Sequence, residues 1–263
     1  MFTTHFKMTR QPFLERTPVE HLQSDDRVRE GLARLEYFAQ AGTAALLTGP
    51  TGAGKSSLVK LFLHGLSRHR FQSLYIDFGS VGARGLLRLL VYGLGETPRL
   101  GKERLFMQIL DKVAASERTT LVVIDEAHLL EMQALTDLRL LTSAGLEDET
   151  HLKILLTGQE RLRDLLKSAQ LADLVHRFHV RVHLSALARQ QTAAYIDFQM
   201  RQAGATAKVF EPEAKSLIHD YASGLPRQVN NIATACLLRA AGDNLQKIDA
   251  ELVNQIMSEF QIP

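Results

Sequence analysis

The chain has 263 residues, of which 45% are hydrophobic and 23% are charged, and its formal net charge is +2 at pH 7. This composition is typical of a globular protein whose core is large enough to fold without disulfide bonds. The sequence contains no apolar run near the ~20 residues that cross a membrane, and its single cysteine, Cys236, favours a reducing cytoplasm.

Strands and helices alternate in the first part of the chain, and only helices follow. Short apolar runs predict strands, and apolar residues that recur every three or four positions predict helices. The predicted strands are residues 44–48, 74–77, 121–124, 153–157 and 180–184. The predicted helices are residues 25–40, 57–63, 85–94, 102–116, 134–141 and 161–166, and then 191–202, 213–221, 226–241 and 249–260.

This order predicts an α/β fold with a doubly wound parallel sheet, followed by a small all-helical domain. We expect residues 1–40 to form an N-terminal segment and helix, residues 41–186 the α/β domain, and residues 187–263 the helical domain. Gly204 and Gly224 are expected to separate helices in the last domain.

A glycine-rich motif lies between the first predicted strand and the helix that follows it. It fits the pattern G-x-x-x-x-G-K-[ST] at every fixed position. Such a turn points backbone N–H groups and a helix N-terminus at a phosphate, while Lys55 reaches the β- and γ-phosphates and the Ser56 hydroxyl binds Mg²⁺. The residues predicted to bind ATP here are Gly49, Pro50, Thr51, Gly52, Ala53, Gly54, Lys55, Ser56 and Ser57.

Two acidic residues, Asp125 and Glu126, end the third predicted strand. The apolar run before them suits a strand that is buried on both faces of a parallel sheet. Because ligands bind at the carboxyl ends of such strands, we expect Asp125 to hold Mg²⁺ together with Ser56. Glu126 would activate a water for attack on the γ-phosphate. The alternative for such a carboxylate is to cap the helix that follows.

Other polar residues occupy comparable positions. Thr157 and Gln159 end the fourth predicted strand, where either could contact the γ-phosphate or orient the water. The alternative is a turn residue that satisfies its own backbone. Arg177 precedes the last strand and Arg227 begins a helix of the second domain. Their positions relative to the motifs distinguish these two arginines from ordinary solvated charges.

Taken together, the motifs resemble those of the AAA+ ATPases, and within them the ExeA-like group, over nearly the whole chain. The two Walker motifs are shared by many ATPases, and the elements that narrow the resemblance to this family are Asp-Glu-Ala-His at 125–128 and Gly-Leu-Pro-Arg at 224–227. The other shared features are His5-Phe6, Pro12-Phe13, the Walker A motif at 49–56, the Walker B motif at 121–126, Leu-Leu-Thr-Gly-Gln at 155–159 and residues 187–196. The resemblance makes the α/β domain an AAA+ domain and the helical domain its lid.

The resemblance implies roles for several residues. Thr157 or Gln159 would be sensor 1, and Arg227 would be sensor 2, contacting the nucleotide from the lid. Arg177 would be the arginine finger that reaches the nucleotide of a neighbouring subunit, and Arg181 is the other candidate. A finger supplied across an interface makes hydrolysis depend on assembly. The implied protein is an ATPase that uses ATP and Mg²⁺ as a homo-oligomer, in a ring or a filament.

The family serves more than one process. Relatives in type II secretion continue into a membrane span and a peptidoglycan-binding region, and the sequence to Pro263 contains neither. Short members resemble the regulatory ATPases of transposons, of the TniB, TnsC and IstB type. We therefore expect a cytoplasmic ATPase, without a membrane partner, that oligomerises on duplex DNA and regulates or recruits a transposase or integrase. The alternative is an ATPase component of a type II secretion or cell-envelope system.

Two further points bear on that expectation. A metabolic P-loop kinase is disfavoured, because the Gly-Leu-Pro-Arg element and the paired acidic residues at 125–126 are not its pattern. A DNA-binding face would bring basic side chains to phosphates, although a basic cluster can equally be a solvated face. The candidate DNA-binding residues are Arg84, Arg88, Arg99, Lys102 and Arg104.

Overall fold

The computed structural model describes residues 2–14, 17–77, 81–143 and 151–260. The chain divides into two compact units, each of which is assembled from separate stretches of sequence. The sheet unit comprises residues 26–49 and 55–184. The helical unit comprises residues 1–25, 50–54 and 185–263.

Five strands and twelve α-helices lie in the described ranges. The strands are β1 (Ala44–Thr48), β2 (Phe71–Ile76), β3 (Thr119–Ile124), β4 (Leu152–Gly158) and β5 (Phe178–His183). The helices are α1 (Phe2–His5), α2 (Asp26–Ala41), α3 (Lys55–Gly65), α4 (Ala83–Gly93), α5 (Lys102–Ala114), α6 (Met132–Ser143), α7 (Glu160–Leu166), α8 (Ala172–Arg177), α9 (Arg189–Gln202), α10 (Pro212–Ala222), α11 (Pro226–Gly242) and α12 (Ala250–Phe260). Each predicted strand and helix overlaps one of these, whereas α1 and α8 were not predicted.

The five strands form one parallel sheet in the order β2-β3-β4-β1-β5. Every residue of β1 and β4 is buried, as expected for central strands that are covered on both faces. The edge strand β5 instead alternates buried and exposed residues. The predicted α/β fold class is confirmed.

Helices cover both faces of the sheet. On one face, α2 packs against α3 and β5, and Gly31 permits the close approach, because a Cβ there would lie 2.8 Å from Leu58 and 3.3 Å from Val182. On the other face, residues of α4 to α8 share a core with alternate residues of β1, β3 and β4. Because β1, β3 and β4 are parallel and adjacent, their carboxyl ends lie side by side at one end of the sheet.

The core of the helical unit combines α9 to α12 with the N-terminal segment. Phe2, Phe6, Met8 and Phe13 are buried among residues of these helices. The backbone N–H of Thr9 donates to the carbonyl of residue 203 at 2.8 Å, which fixes the segment to the end of α9. The sequence placed residues 1–40 in a segment of their own, whereas the structure groups residues 1–25 with the helices. The domain boundaries predicted at residues 40 and 186 stay a prediction.

None of the helices in the described ranges combines the length and the apolar character needed to cross a membrane.

Gly224 provides a test of the helical unit. Its φ is +68°, and a Cβ at this position would lie 2.1 Å from the carbonyl oxygen of Leu187. We expect Gly224→Ala to lower the free energy of unfolding of this unit by roughly 1–3 kcal/mol for the backbone conformation alone, with the clash adding to that loss. Thermal unfolding followed by circular dichroism measures it. Gly242→Ala is the matched control, because nothing lies within 4 Å of a Cβ there; an equal loss in both variants would contradict the prediction.

Candidate functional site

The phosphate-loop motif begins at Gly49, directly after β1. A Cβ at Gly49 would lie 2.3 Å from the carbonyl oxygen of Leu184, so only glycine fits between the ends of β1 and β5. At the other end of the motif, Lys55 is the first residue of α3 and is buried. Its Nζ donates to the carbonyl of Gly49 at 2.9 Å, so the lysine side chain reaches back across the loop.

The middle of the motif belongs to the helical unit, where it meets the start of α11. Gly52 has a φ of +81° and Gly54 a φ of +105°, which are conformations that favour glycine. The backbone N–H of Arg227 donates to the carbonyl of Gly52 at 3.3 Å, and a Cβ at Gly52 would lie 2.9 Å from the Cβ of Arg227. The structure thus places the predicted sensor 2 arginine directly against the loop.

Asp125 follows β3 and is buried, with an exposed fraction of 3%. Its Oδ1 accepts hydrogen bonds from the Thr157 hydroxyl at 2.8 Å and from the backbone N–H of Glu126 at 2.9 Å. Its Oδ2 accepts from the Ser56 hydroxyl at 3.1 Å and from the Tyr75 hydroxyl. The structure therefore brings three predicted site residues, Ser56, Asp125 and Thr157, into direct contact.

These hydrogen bonds decide the charge of the carboxyl group. Burial by itself would raise the pKa of Asp125, but the bonds from Tyr75, Thr157, the Glu126 backbone and Ser56 outweigh it and lower the pKa below its usual value of 3.8. Burial, together with the hydrogen bond to Asp125 and the negative charge of that residue, raises the pKa of Tyr75. At neutral pH the pair is an ionised carboxylate and a neutral phenol.

Glu126 adopts a left-handed backbone conformation, with a φ of +50°. A non-glycine residue in this region is uncommon and is often found at functional sites. The Gln159 side chain donates to Oε2 of Glu126 at 3.4 Å, and Nδ1 of His128 lies 3.3 Å from the same oxygen without making a hydrogen bond. Gln159, predicted to orient a water or contact the γ-phosphate, is thus next to Glu126.

Of the two candidate fingers, Arg177 lies just before β5 and Arg181 lies within it. Arg177 ends α8 immediately before β5, and its side chain donates to the carbonyl of Thr142 at 3.4 Å. Arg181 lies on β5 and donates to the carbonyls of Phe178 and Val175 at 3.2 and 3.0 Å. The Arg181 guanidinium is therefore held by its own turn, whereas Arg177 makes one long bond.

The candidate DNA-binding residues lie on and between α4 and α5. Arg84 and Arg88 are exposed on α4, and Arg99 and Arg104 are exposed nearby in sequence. Lys102 differs, because its Nζ lies 2.7 Å from a carboxylate oxygen of Asp137, whose side chain is 1% exposed. The charge of Lys102 is therefore engaged inside the sheet unit.

Tyr75 is the member of the Asp125 cluster that sequence reasoning missed. Its place in β2 could have indicated this contact. Residues 74 and 76 pack in the core that the sheet shares with α4 to α8, and residue 75 points to the opposite face because side chains alternate along a strand. Asp125 lies on that face at the end of the neighbouring strand, because Ile76 pairs with Ile124. The pairing of β2 with β3 was needed to connect the two.

Comparisons with known proteins agree with this geometry. Residues 39–166 match the family described as AAA domain. The chain carries an AAA domain. This domain includes the phosphate-loop motif, Asp125, Glu126 and Thr157, and its family confirms the AAA+ part of the resemblance.

One curated relative spans nearly the whole chain. This chain is 31% identical over 254 residues to general secretion pathway protein A of Aeromonas hydrophila. The matched region covers 94% of this chain and 46% of the relative, so the chain spans about half the length of the curated relative that it matches.

Solved structures of the same fold include ORC proteins bound to DNA and a branch migration motor. This chain superposes on the ORC1 protein of Aeropyrum pernix in complex with DNA with a TM-score of 0.72 and 15% identity, covering 97% of this chain and 70% of that one. It superposes on Drosophila ORC bound to DNA with a TM-score of 0.75 and 18% identity, covering 100% of this chain and 66% of that one. It superposes on the RuvB Holliday junction branch migration motor of Thermotoga maritima with a TM-score of 0.64 and 17% identity, covering 96% of this chain and 74% of that one. At such identities, these matches establish the fold alone.

The residues present fit Mg²⁺ and a nucleotide. Mg²⁺ is usually held by one or two carboxylates together with phosphate oxygens and water. Asp125 supplies one ionised carboxylate, and the Ser56 hydroxyl lies beside it. The positive φ angles of the loop glycines suit backbone that binds a phosphate chain, and Lys55 supplies a positive charge at the end of the motif.

The hydrogen bond from Thr157 to Asp125 gives a testable energy. Thr157→Val keeps the side-chain shape but leaves one donor fewer on a buried carboxylate, so we expect the free energy of unfolding to fall by about 1.5–3 kcal/mol. Urea unfolding without nucleotide measures it, and Thr136→Val, which loses only a bond to the carbonyl of Met132 in α6, is the control.

The loss in Thr157→Val should depend on pH. Because the folded-state pKa of Asp125 is lowered, its contribution to stability is present above the unfolded pKa of 3.8 and is lost as the pH falls through the folded-state value. The difference between the wild type and the variant should therefore shrink below pH 3.8. A difference that stays constant through this range would show that Thr157 acts by packing.

Proposed function

We propose that this chain is a Mg²⁺-dependent ATPase whose hydrolysis depends on self-assembly. The observation that carries the proposal is the convergence of Ser56 and Thr157 on the buried carboxylate of Asp125, together with the bond from Lys55 to the carbonyl of Gly49, the first residue of the phosphate-loop motif. An AAA domain in the same residues supports it. The predicted roles of the individual residues are part of this proposal.

Each residue has a distinct task in this mechanism. Lys55 releases the Gly49 carbonyl and places its charge on the β- and γ-phosphates of ATP, while Ser56 and Asp125 hold Mg²⁺. The metal ion, when bound, offsets negative charge on the phosphate oxygens. Glu126 takes a proton from the attacking water as the water oxygen bonds to the γ-phosphorus and the bond to ADP breaks. Gln159 holds the Glu126 side chain at 3.4 Å in the described structure.

Arg177 supports a role for a second subunit. Arg177 precedes the first residue of β5. The phosphate loop follows Thr48, the last residue of β1, and Thr48 pairs with His183 at the other end of β5. Six residues of strand separate these edges, which corresponds to ~20 Å at about 3.3 Å per residue. Arg177 thus lies too far from the loop of its own subunit to contact a γ-phosphate there. We propose that it acts on a nucleotide bound by a neighbour, in a ring or a filament.

Two processes remain candidates for this ATPase, and different observations favour each. The identity of 31% to general secretion pathway protein A, across 94% of the chain, favours a secretion or cell-envelope role. The ORC structures favour an ATPase that assembles on duplex DNA, as proposed from the sequence with a transposase or integrase as its partner. The identity in sequence carries more weight, because the structural matches establish only the fold. Transposition rests on the resemblance of the sequence alone.

Hydrolysis is tested with Glu126→Gln. The amide keeps the shape of the side chain but cannot accept the proton, so we expect ATP binding to remain and the hydrolysis rate to fall by roughly 100-fold or more. Calorimetry measures binding and phosphate release measures the rate. Lys55→Ala is the comparison, because it should abolish binding itself by removing the charge that meets the phosphates. Hydrolysis at the wild-type rate in Glu126→Gln would exclude Glu126 as the base.

Assembly and the choice between the two processes are tested together. We expect ATP, but not ADP, to produce an oligomer, and Arg177→Ala to lower hydrolysis far more than ATP affinity, because a finger acts on the transition state. Arg181→Ala is the control, since its guanidinium is bound to carbonyls of its own turn. Analytical ultracentrifugation and steady-state kinetics provide the readouts.

Duplex DNA added to the same experiment separates the candidates. For the DNA candidate, affinity should require ATP and should fall steeply with salt, because each neutralised phosphate releases counterions. Exposed Arg84 and Arg88 should contribute, whereas Lys102→Ala should act mainly through the loss of its partner on buried Asp137. An oligomer that ignores DNA under every nucleotide condition would favour the secretion candidate.

A further inference from the structure

Tyr75 has an orientation that packing does not account for. A tyrosine near a protein surface normally buries its ring and leaves its hydroxyl in water. Here the residue is 44% exposed, yet its hydroxyl donates to Oδ2 of Asp125, which is 3% exposed. Tyr75 lies on the edge strand β2, where the ring adds little to the core. The hydroxyl of Tyr75 therefore contacts a buried group, the carboxylate of Asp125, while much of the side chain is exposed.

That hydroxyl completes the set of donors around Asp125. An ionised carboxylate has about four acceptor positions, two on each oxygen. Thr157 and the backbone N–H of Glu126 occupy those of Oδ1, while Ser56 and Tyr75 occupy those of Oδ2. Ser56 is also expected to bind the metal. Tyr75 is therefore the donor that holds Oδ2 from outside the phosphate-loop motif.

We propose that Tyr75 is a positioning residue for Mg²⁺ at this site, an inference that rests on the proposed function. Tyr75 acts through Asp125: by fixing the orientation of the carboxylate, it sets how much the metal strengthens nucleotide binding. Partners that orient a metal-binding group commonly change metal affinity by ~10–100-fold. Because Tyr75 lies on β2 and not in the loop, nucleotide affinity without metal should not depend on it.

The test compares nucleotide affinity with and without metal in Tyr75→Phe. Calorimetry with a non-hydrolysable ATP analogue, in Mg²⁺ and in EDTA, gives the gain in affinity that the metal provides. We expect this gain to fall about 10-fold, with the affinity in EDTA unchanged. The thermal unfolding temperature should fall as it does in Thr157→Val, because Asp125 loses one donor in each variant. Tyr92→Phe is the matched control, because Tyr92 is 74% exposed on α4.

A double-mutant cycle tests whether the effect passes through Asp125. In an Asp125→Asn background, Tyr75→Phe should change the metal-dependent gain no further. A full gain in the Tyr75→Phe single variant would overturn the inference and leave the proposed function standing. An equal loss of affinity with and without metal would show a packing role and also overturn it. If the wild type itself gains nothing from Mg²⁺, the proposed function fails, and the inference with it.

Discussion

The buried carboxylate of Asp125 is the constraint on which the site depends. An ionised group that is 3% exposed is stable only when hydrogen bonds replace its water shell. Its donors come from α3, β2, β4 and the backbone just after β3. The start of α3 and the carboxyl ends of β2, β3 and β4 must therefore lie close together. The parallel register, in which Ile124 pairs with both Ile76 and Leu156, aligns the three strands.

The two edges of the sheet have different tasks under the proposed function. At the carboxyl edge, Ser56 and Thr157 meet Asp125, and these are the groups proposed to hold the metal. The amino edge presents Arg177, which the length of β5 separates from its own loop. Under the proposed role of Arg177, a subunit needs a neighbour to complete its hydrolytic site, and the length of β5 is what separates the arginine from its own loop.

Local patterns predicted much of this molecule. Apolar runs located the five strands, and the glycine pattern located the loop, because each depends on residues that are close in sequence. Three contacts between distant residues were not accessible in this way. The bond from Tyr75 to Asp125 requires the pairing of β2 with β3, the ion pair of Lys102 with Asp137 joins two helices, and Phe2 packs against helices that begin after residue 185. Spacing along the chain carries no signal for contacts across such separations.

The burial of the first residues in the helical unit has a consequence for synthesis. Phe2, Phe6 and Phe13 leave the ribosome before the sheet unit, whereas the helices with which they share a core, α9 to α12, are made after it. During translation these aromatic side chains have no native partner while the whole sheet unit is being made. Their apolar surface is then available for other contacts, including with chaperones or other nascent chains. The segment that contains these residues can therefore join its core only after α9 to α12 have been made.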